Sequence, residues 1–416
     1  MWKTVKLSDL FKVGSSRRVL KSDWRSQGVP FYRGREITRL SLEGSVENEL
    51  FITEDLYKSL ATKSGVPRAG DILITAIGTI GNTYVVKNKD RFYFKDASVL
   101  WLSKTADVSS EYVQHWLRTS DFFEQLDEGN GATVDTLTIK KMASISLPLP
   151  PLAEQKRIVE RLDRAFAEID KGIATAEAKE GEIERLKAAT LSAMLNCGSQ
   201  SGESITGDEE DSVMWETVRL GDVCEIQPKK AQVKAKLAWE DEVSFMPMDE
   251  LAIGQLYPVT TMKRRLKDVY SSYTYFEDGN ILLAKITPCF ENGKLGVASN
   301  LANGVGFGSS EYLVIRCRER VLAEYLYYHL SQSSFRAEGK KHMRGAVGHK
   351  RVPRGFVENF TFQLPPLAEQ KRIVERLDNA FAEMEIVGGK TQSCVENYSA
   401  LKASILKQEL TPSEAV

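Results

Sequence analysis

The chain has few histidines, no patterned cysteines and no long apolar run. Its 416 residues hold four histidines and five cysteines. The cysteines (Cys197, Cys224, Cys289, Cys317, Cys394) form no C-x-x-C pair, which excludes a disulfide framework or cysteine-rich zinc site and suits a reducing compartment. His342 and His349 are the nearest histidines, and both sit in a basic stretch, so no metal is expected. No apolar run reaches the length of a membrane span and Met1-Trp2-Lys3 does not open a signal peptide, so a cytoplasmic protein without membrane contact is expected. Also missing are G-x-x-x-x-G-K-[ST], G-x-S-x-G, H-E-x-x-H and the [ND]-P-P-[YF] signature of amino-methyltransferases. Gly304-Val305-Gly306-Phe307-Gly308 lacks the helix start of a dinucleotide site and reads as a turn before a strand. Glu338-Gly339-Lys340 has no placed upstream Asp and reads as a solvated loop. No catalytic residue, metal or cofactor is assigned to this chain. A net charge of -1 shows no basic excess, but nucleic-acid binding needs a basic face rather than a basic total.

What the chain does have is an internal repeat. LPPLAEQKRIVERLD stands at Leu149–Asp163 and again at Leu364–Asp378, and the match runs on through Glu168 and Glu383 with one break, Arg164 against Asn379. A fainter pair lies earlier, Trp2-Lys3-Thr4-Val5-Lys6-Leu7 against Trp215-Glu216-Thr217-Val218-Arg219-Leu220. Fainter still are GDILIT at Gly70–Thr75 against GNILLA at Gly279–Ala284, and Glu111-Tyr112 against Glu324-Tyr325. The halves meet in a Gly, Ser and acid-rich stretch, 197–213, whose composition suits a flexible linker.

Each repeated segment opens a long helix. Pro150-Pro151 and Pro365-Pro366 suit a helix entry, and Glu154 and Glu369 suit the positive end of the helix dipole. The second helix carries a heptad stripe of Leu377, Ala380, Met384, Val387, Thr391, Cys394, Tyr398, Leu401 and Ile405. The first carries a weaker one of Leu162, Ala165, Ile169, Ala176, Ile183, Leu186 and Thr190. The alternating spacing is that of a coiled-coil seam, so the two helices, each about 65 Å long at ~1.5 Å per residue, should pair with each other. The resulting fold class is α+β: two globular modules (1–148 and 214–363) joined by two long antiparallel coiled-coil helices (149–196 and 364–411) in a pseudo-twofold repeat. Within the first module, strands are expected at Asp71–Ile74, Thr83–Val86, Arg91–Phe94 and Ser98–Leu102, then one helix at Glu111–Leu126. The second module repeats that order, with strands at Asn280–Ala284, Gly296–Ala298 and Tyr312–Ile315 and a helix at Leu322–Leu330.

Both modules carry basic clusters. The first has Arg17, Arg18, Lys21, Arg25, Arg33 and Arg35. The second has Lys229, Lys230, Lys234 and Lys236, then Lys263, Arg264, Arg265 and Lys267, and finally Lys340 through Arg354. In a chain that is neutral overall, such clusters polarise the surface and suit phosphate contacts.

These features together resemble the specificity subunit of Type I restriction–modification enzymes. The paired helix motifs carry the resemblance over essentially the whole chain. Lys285-Ile286-Thr287-Pro288-Cys289-Phe290-Glu291-Asn292-Gly293-Lys294, with Gly308-Ser309-Ser310-Glu311-Tyr312, resembles one variant of that family's target-recognition domain. The first module has Thr75–Asn82 (TAIGTIGN) in that place, which implies that the halves read different sequences. The resemblance implies a non-catalytic subunit that reads a split double-stranded DNA target, one half-site per module. It also implies two modification subunits as partners, which bind S-adenosylmethionine and methylate adenine, and restriction subunits beside them. Antiparallel helices would place the modules as dyad-related readers and act as a ruler between half-sites.

The DNA contacts are expected from Ser15, Ser16, Arg17, Arg18, Arg33, Arg35, Thr79 and Asn82 in the first module. In the second they are Lys229, Lys230, Lys263, Arg264, Lys285, Thr287, Asn292, Arg344, His349 and Lys350. Two copies of one surface should bind two copies of one partner. Assembly is therefore expected at Glu154, Gln155, Lys156, Arg157 and Arg161 and at Glu369, Gln370, Lys371, Arg372 and Arg376. Two alternatives remain: a coiled-coil spacer tethering protein partners without reading DNA, and a fused nuclease or methyltransferase.

Overall fold

The computed structural model describes residues 2–127, 136–196, 215–346 and 348–411. The expected linker, 197–213, lies outside the described residues. By contact the chain divides into two units, Met1–Glu177 with Gln392–Val416, and Ala178–Thr391. Each unit therefore takes its module, part of one long helix and part of the other.

The main sheets of the two modules share one topology. In the first, an antiparallel sheet runs in the order Phe11–Gly14, Val99–Lys104, Ile72–Thr75, Thr83–Val85. In the second, the order Cys224–Ile226, Tyr312–Cys317, Ile281–Ala284, Leu295–Val297 repeats it strand for strand. The central strands, ILIT and ILLA, are buried at every position, because both faces of the sheet are covered. A second small sheet accompanies each, containing a parallel pair: Val29–Tyr32 with Tyr93–Phe94, and Glu242–Met246 with Val305–Gly308. Gly304–Gly308 is thus not a turn before a strand, since its last four residues are the strand. Gly306 is required there, because a Cβ would lie 2.2 Å from the Phe276 ring.

The faint Trp-Thr-Val-Leu match has a physical role. Lys3–Lys6 pairs antiparallel with Ser146–Leu149, and Glu216–Arg219 pairs with Thr361–Leu364. Each module is closed by joining its first strand to the strand that leads into the Pro-Pro. The single helix expected at Glu111–Leu126 is two helices, Ser110–Trp116 and Ser120–Leu126. Thr119 breaks it by bonding its hydroxyl back to the Trp116 carbonyl at 2.7 Å, a local bond that competes with helix continuation.

The long helices are Leu152–Asn196 and Leu367–Leu410. In the first unit they run antiparallel: Arg161 meets Glu409 at 2.6 Å and Asp170 meets Lys402 at 2.5 Å. In the second unit, Leu191 and Leu195 share a core with Ile373, Val374 and Leu377. The seam departs from the expected stripes at three positions. Leu186, Val387 and Leu401 are 54%, 51% and 46% exposed. The covered positions of the second helix include seven of the nine expected ones, Leu377, Ala380, Met384, Thr391, Cys394, Tyr398 and Ile405, together with Phe381, Gly388, Val395, Lys402 and Leu406. The expected stripe of this helix is covered except at Val387 and Leu401, beside which Gly388 and Lys402 are half-buried. The Tyr398 ring occupies the space beside Gly172, where a Cβ would lie 2.5 Å away. Lys402 and Glu409 then take seam positions through ion pairs, and the Lys402 ammonium sits 5.3 Å from the Phe166 ring. Leu401→Gln should therefore change the unfolding free energy by no more than ~0.5 kcal/mol. Leu406→Ala, in the first unit's core, should cost about 2–5 kcal/mol. Urea unfolding of the two variants tests which of these positions the seam covers.

His329 adds a pH dependence to the second unit. It is 4% exposed, packs edge-on to Tyr325 at 4.8 Å, and its Nε2 has no partner among the described residues. Burial pushes its pKa down to about 3, against ~6.5 in an unfolded chain. The folded state refuses a proton that the unfolded state accepts. Stability from this group is therefore complete above about pH 6.5 and lost as pH falls toward 3, at up to ~1.4 kcal/mol per pH unit. His329→Phe is expected to flatten the stability–pH curve by one proton between pH 6.5 and 4. Unchanged slopes in urea unfolding at several pH values would assign the proton elsewhere.

Candidate nucleic-acid interface

In the first module the expected contact residues converge on one crossing. The strand Ile72–Thr75 runs into a loop, where the Ala76 N–H donates to the Ser98 carbonyl at 3.0 Å and the Ala76 carbonyl accepts from the Leu137 N–H at 2.8 Å. Ser15 reaches the same place, donating to the Val99 carbonyl at 2.9 Å. Gly34 packs there too, with space for a Cβ 3.8 Å from the Ser98 carbonyl and 3.9 Å from the Thr75 methyl. The Thr75 hydroxyl closes the loop, donating to the Thr79 carbonyl and accepting from the Asn82 N–H at 3.0 Å. The Asn82 side chain is half-buried and donates to Thr38 at 3.1 Å, while Thr79 is exposed. Ser16 bonds the Phe94 carbonyl at 2.7 Å, which leaves the exposed Arg17 and Arg18 beside the crossing.

Arg33 and Arg35 are not free surface cations. Both are bonded to Glu36, which is 2% exposed. Arg33 donates from its backbone N–H at 2.8 Å, from Nε at 3.2 Å and from Nη2 at 2.9 Å, and Arg35 donates from Nε at 3.0 Å. Burial alone would raise the Glu36 pKa, but the hydrogen bonds from Arg33 and Arg35 outweigh it and hold the carboxyl below its ordinary value.

The second module builds the same crossing from different residues. The Lys285 N–H donates to the Glu311 carbonyl at 3.0 Å, and the Lys285 carbonyl accepts from the Val352 N–H at 2.9 Å. The loop Lys285–Lys294 then lies against the basic segment: the Thr287 N–H donates to the Lys350 carbonyl at 2.9 Å, and Arg344 and Arg351 exchange backbone bonds at 3.0 and 2.8 Å. Asn292, Arg344, His349 and Lys350 are exposed together there. Lys285 spends its ammonium on the Ser310 carbonyl at 2.8 Å, and the Thr287 hydroxyl faces the Met343 sulfur at 3.8 Å.

Of the remaining expected residues, Lys263 and Arg264 stand on the edge strand Lys263–Arg265 of the second sheet, and Lys229 and Lys230 at the short helix Lys230–Gln232. Arg264 stacks on the Phe245 ring at 4.3 Å, Lys263 faces Glu242 at 3.9 Å, and Lys229 is exposed. Lys230 is held by the Tyr270 carbonyl and sits 4.9 Å from the Tyr270 ring, so it serves the fold more than the surface.

The repeated helix starts fasten each module by the same three hydrogen bonds. Gln155 accepts from the Ser109 N–H and donates to the Pro150 carbonyl, both at 2.8 Å. Gln370 accepts from the Leu322 N–H and donates to the carbonyls of Pro365 and Arg320, all at 2.8 Å. Tyr112 donates to the Pro148 carbonyl at 2.7 Å and Tyr325 to the Gln363 carbonyl at 2.8 Å. Three turns into each helix, Asp163 meets His115 at 3.1 Å and Asp378 meets Tyr328. Gln155 and Gln370 are 2% and 0% exposed and cannot face a partner, which corrects the expectation that they do. The faint Glu-Tyr echo was the sign of this clamp. Arg161 is drawn to Glu409 and Glu154. Lys156, Arg157 and Glu160, and Lys371, Arg372, Glu375 and Arg376, remain exposed.

A module of mixed sheet and helix, made twice and clamped each time to the start of a long helix, defines a duplicated recognition scaffold. Residues 1–178 and 212–395 each match the Type I restriction modification DNA specificity domain, and the chain belongs to that family. It is 29% identical over 315 residues to the EcoAI specificity subunit of Escherichia coli, covering 74% of this chain and 50% of that protein. It is 22% identical to the MjaX specificity subunit of Methanocaldococcus jannaschii, covering 90% of this chain and 86% of the other. The chain spans about half the length of the first of these relatives. In fold it is similar to a chain from a structure of a type I R-M system, with a TM-score of 0.72 at 19% identity over 98% of this chain and 97% of that one. It is also similar to the HsdS subunit from Thermoanaerobacter tengcongensis, with a TM-score of 0.53 at 19% identity over 98% and 96%. Among the described residues, no helix is long and apolar enough to cross a membrane.

Proposed function

We propose that this chain is the non-catalytic DNA specificity subunit of a cytoplasmic Type I restriction–modification complex. It reads a bipartite, asymmetric double-stranded target, one half-site per module. It holds two modification subunits, which bring S-adenosylmethionine and methylate adenine, with restriction subunits beside them. The observation that supports this reading most is the repeated crossing: one backbone arrangement, held by matching hydrogen bonds, presents unlike polar and basic loops. A shared frame with divergent loops suits two readers of different sequences. The exposed face of the helix starts, the same in both copies, suits one partner bound twice.

The test is methylation by the complex assembled with its modification subunits. Adenine methylation of a randomised duplex library should concentrate at one split sequence with an unread spacer. Methylation without sequence preference, or none that depends on this chain, would favour a tether between proteins. A second expectation concerns charge. Replacing Arg344 and Lys350 by Ala should weaken DNA binding on all sequences and lower the slope of log affinity against log salt by about two. An unchanged slope would take these residues off the phosphate backbone.

A further inference from the structure

Each module holds one arginine fork on a carboxylate at its crossing, and the two modules build that pair from different parts of the chain. In the first, Glu36 takes Nε and Nη2 of Arg33. In the second, Glu311, whose carbonyl makes the bond that Ser98 makes in the first module, takes Arg351. Nε of Arg351 donates to one Glu311 oxygen at 2.9 Å and Nη2 to the other at 2.7 Å, while Nη1 donates to the His349 carbonyl at 3.0 Å. The Arg33 and Arg351 side chains keep 27% and 46% exposure. Their remaining N–H groups, at least one on each terminal nitrogen, meet no acceptor among the described residues. A flexible arginine on a DNA-facing loop would pay rotamer entropy on binding, whereas a guanidinium held along one edge does not. The free end of the fork matches the two acceptors, O6 and N7, that guanine presents in the major groove.

We infer that Glu36 and Glu311 are positioning residues that hold Arg33 and Arg351 as guanine-reading forks, one in each half-site. The inference rests on the specificity-subunit reading and adds to it which side chains choose a base and what orients them. Arg351 stands next to Lys350 in sequence, yet only Arg351 is held rigid. The neighbouring exposed cations then supply position, and the held forks supply choice.

The experiment is methylation of a duplex library randomised through both half-sites, by the complex carrying wild-type chain, Glu36→Gln or Glu311→Gln. An amide keeps the shape but turns an N–H2 toward the guanidinium, which breaks the fork. Glu36→Gln should lose roughly five- to hundredfold of its preference for guanine at one position of the first half-site, with the second half-site unchanged. Glu311→Gln should show the reverse. Arg33→Lys and Arg351→Lys keep the charge without the fork and should relax the same positions, which keeps the test decisive if a Gln variant misfolds. Uniform loss at every position, or an unaltered base profile, overturns the inference while leaving the proposed function standing. A wild-type complex with no base preference overturns the function itself.

Discussion

Gln370→Ala is expected to lower the stability of the second unit by about 3–5 kcal/mol, and Gln155→Ala that of the first by about 2–5 kcal/mol. Truncating Gln370 leaves the Leu322 N–H and the Pro365 and Arg320 carbonyls without their partner. Truncating Gln155 leaves the Ser109 N–H and the Pro150 carbonyl. A buried polar group stripped of its partner costs ~1–3 kcal/mol, and the cavity adds to this. Glu in place of Gln should be no better, since a carboxylate accepts from the N–H but cannot donate to the carbonyls. Urea unfolding measures both. A loss under 1 kcal/mol in either unit would mean that the clamp is not what fastens module to helix.

The second large effect is on assembly. Arg157 and Arg372 are 71% and 52% exposed at the side chain, and among the described residues each is engaged only with the Glu one turn before it, Glu154 or Glu369, at 3.1 Å. Exposed pairs of this kind contribute little to folding. Arg157→Glu together with Arg372→Glu should therefore leave the unfolding curve almost unchanged. Binding of the modification subunits should fall about a hundredfold or more, because reversing an interfacial charge costs ~2–5 kcal/mol per site. Either reversal alone should leave a complex with one modification subunit. Mass measurement of the purified assemblies separates these outcomes, and an intact complex from the double variant would move the assembly surface off this face.

Much of this was legible because it is local. The helix starts show in Pro-Pro followed by Leu-Ala-Glu-Gln, and the buried strands show as ILIT and ILLA between Gly and polar turns. Duplication shows wherever the same packing demand falls on both copies. The Tyr112 and Tyr325 echo survived in otherwise unlike modules because each hydroxyl must reach one carbonyl. What misled the reading was chemistry that depends on a distant partner. Gln155 looks like a helix surface residue until Ser109 is placed beside it. Leu401 looks like a seam residue until Lys402 takes the covered place between Asp170 and the Phe166 ring. Arg33 looks like a free cation until Glu36 is seen to be buried beneath it.

By itself, the sequence determined that there are two modules, that each ends in a long helix, and that the helix starts are one surface made twice. These follow from spacing, turn chemistry and identity along the chain, none of which needs a third dimension. Only the tertiary structure decided which polar residues of the repeat are spent inside and which face outward, which heptad positions the seam leaves exposed, and which arginines are held rather than free. Those outcomes depend on hydrogen bonds and contacts between residues tens to hundreds of positions apart, and no local pattern encodes which group will be waiting at the other end.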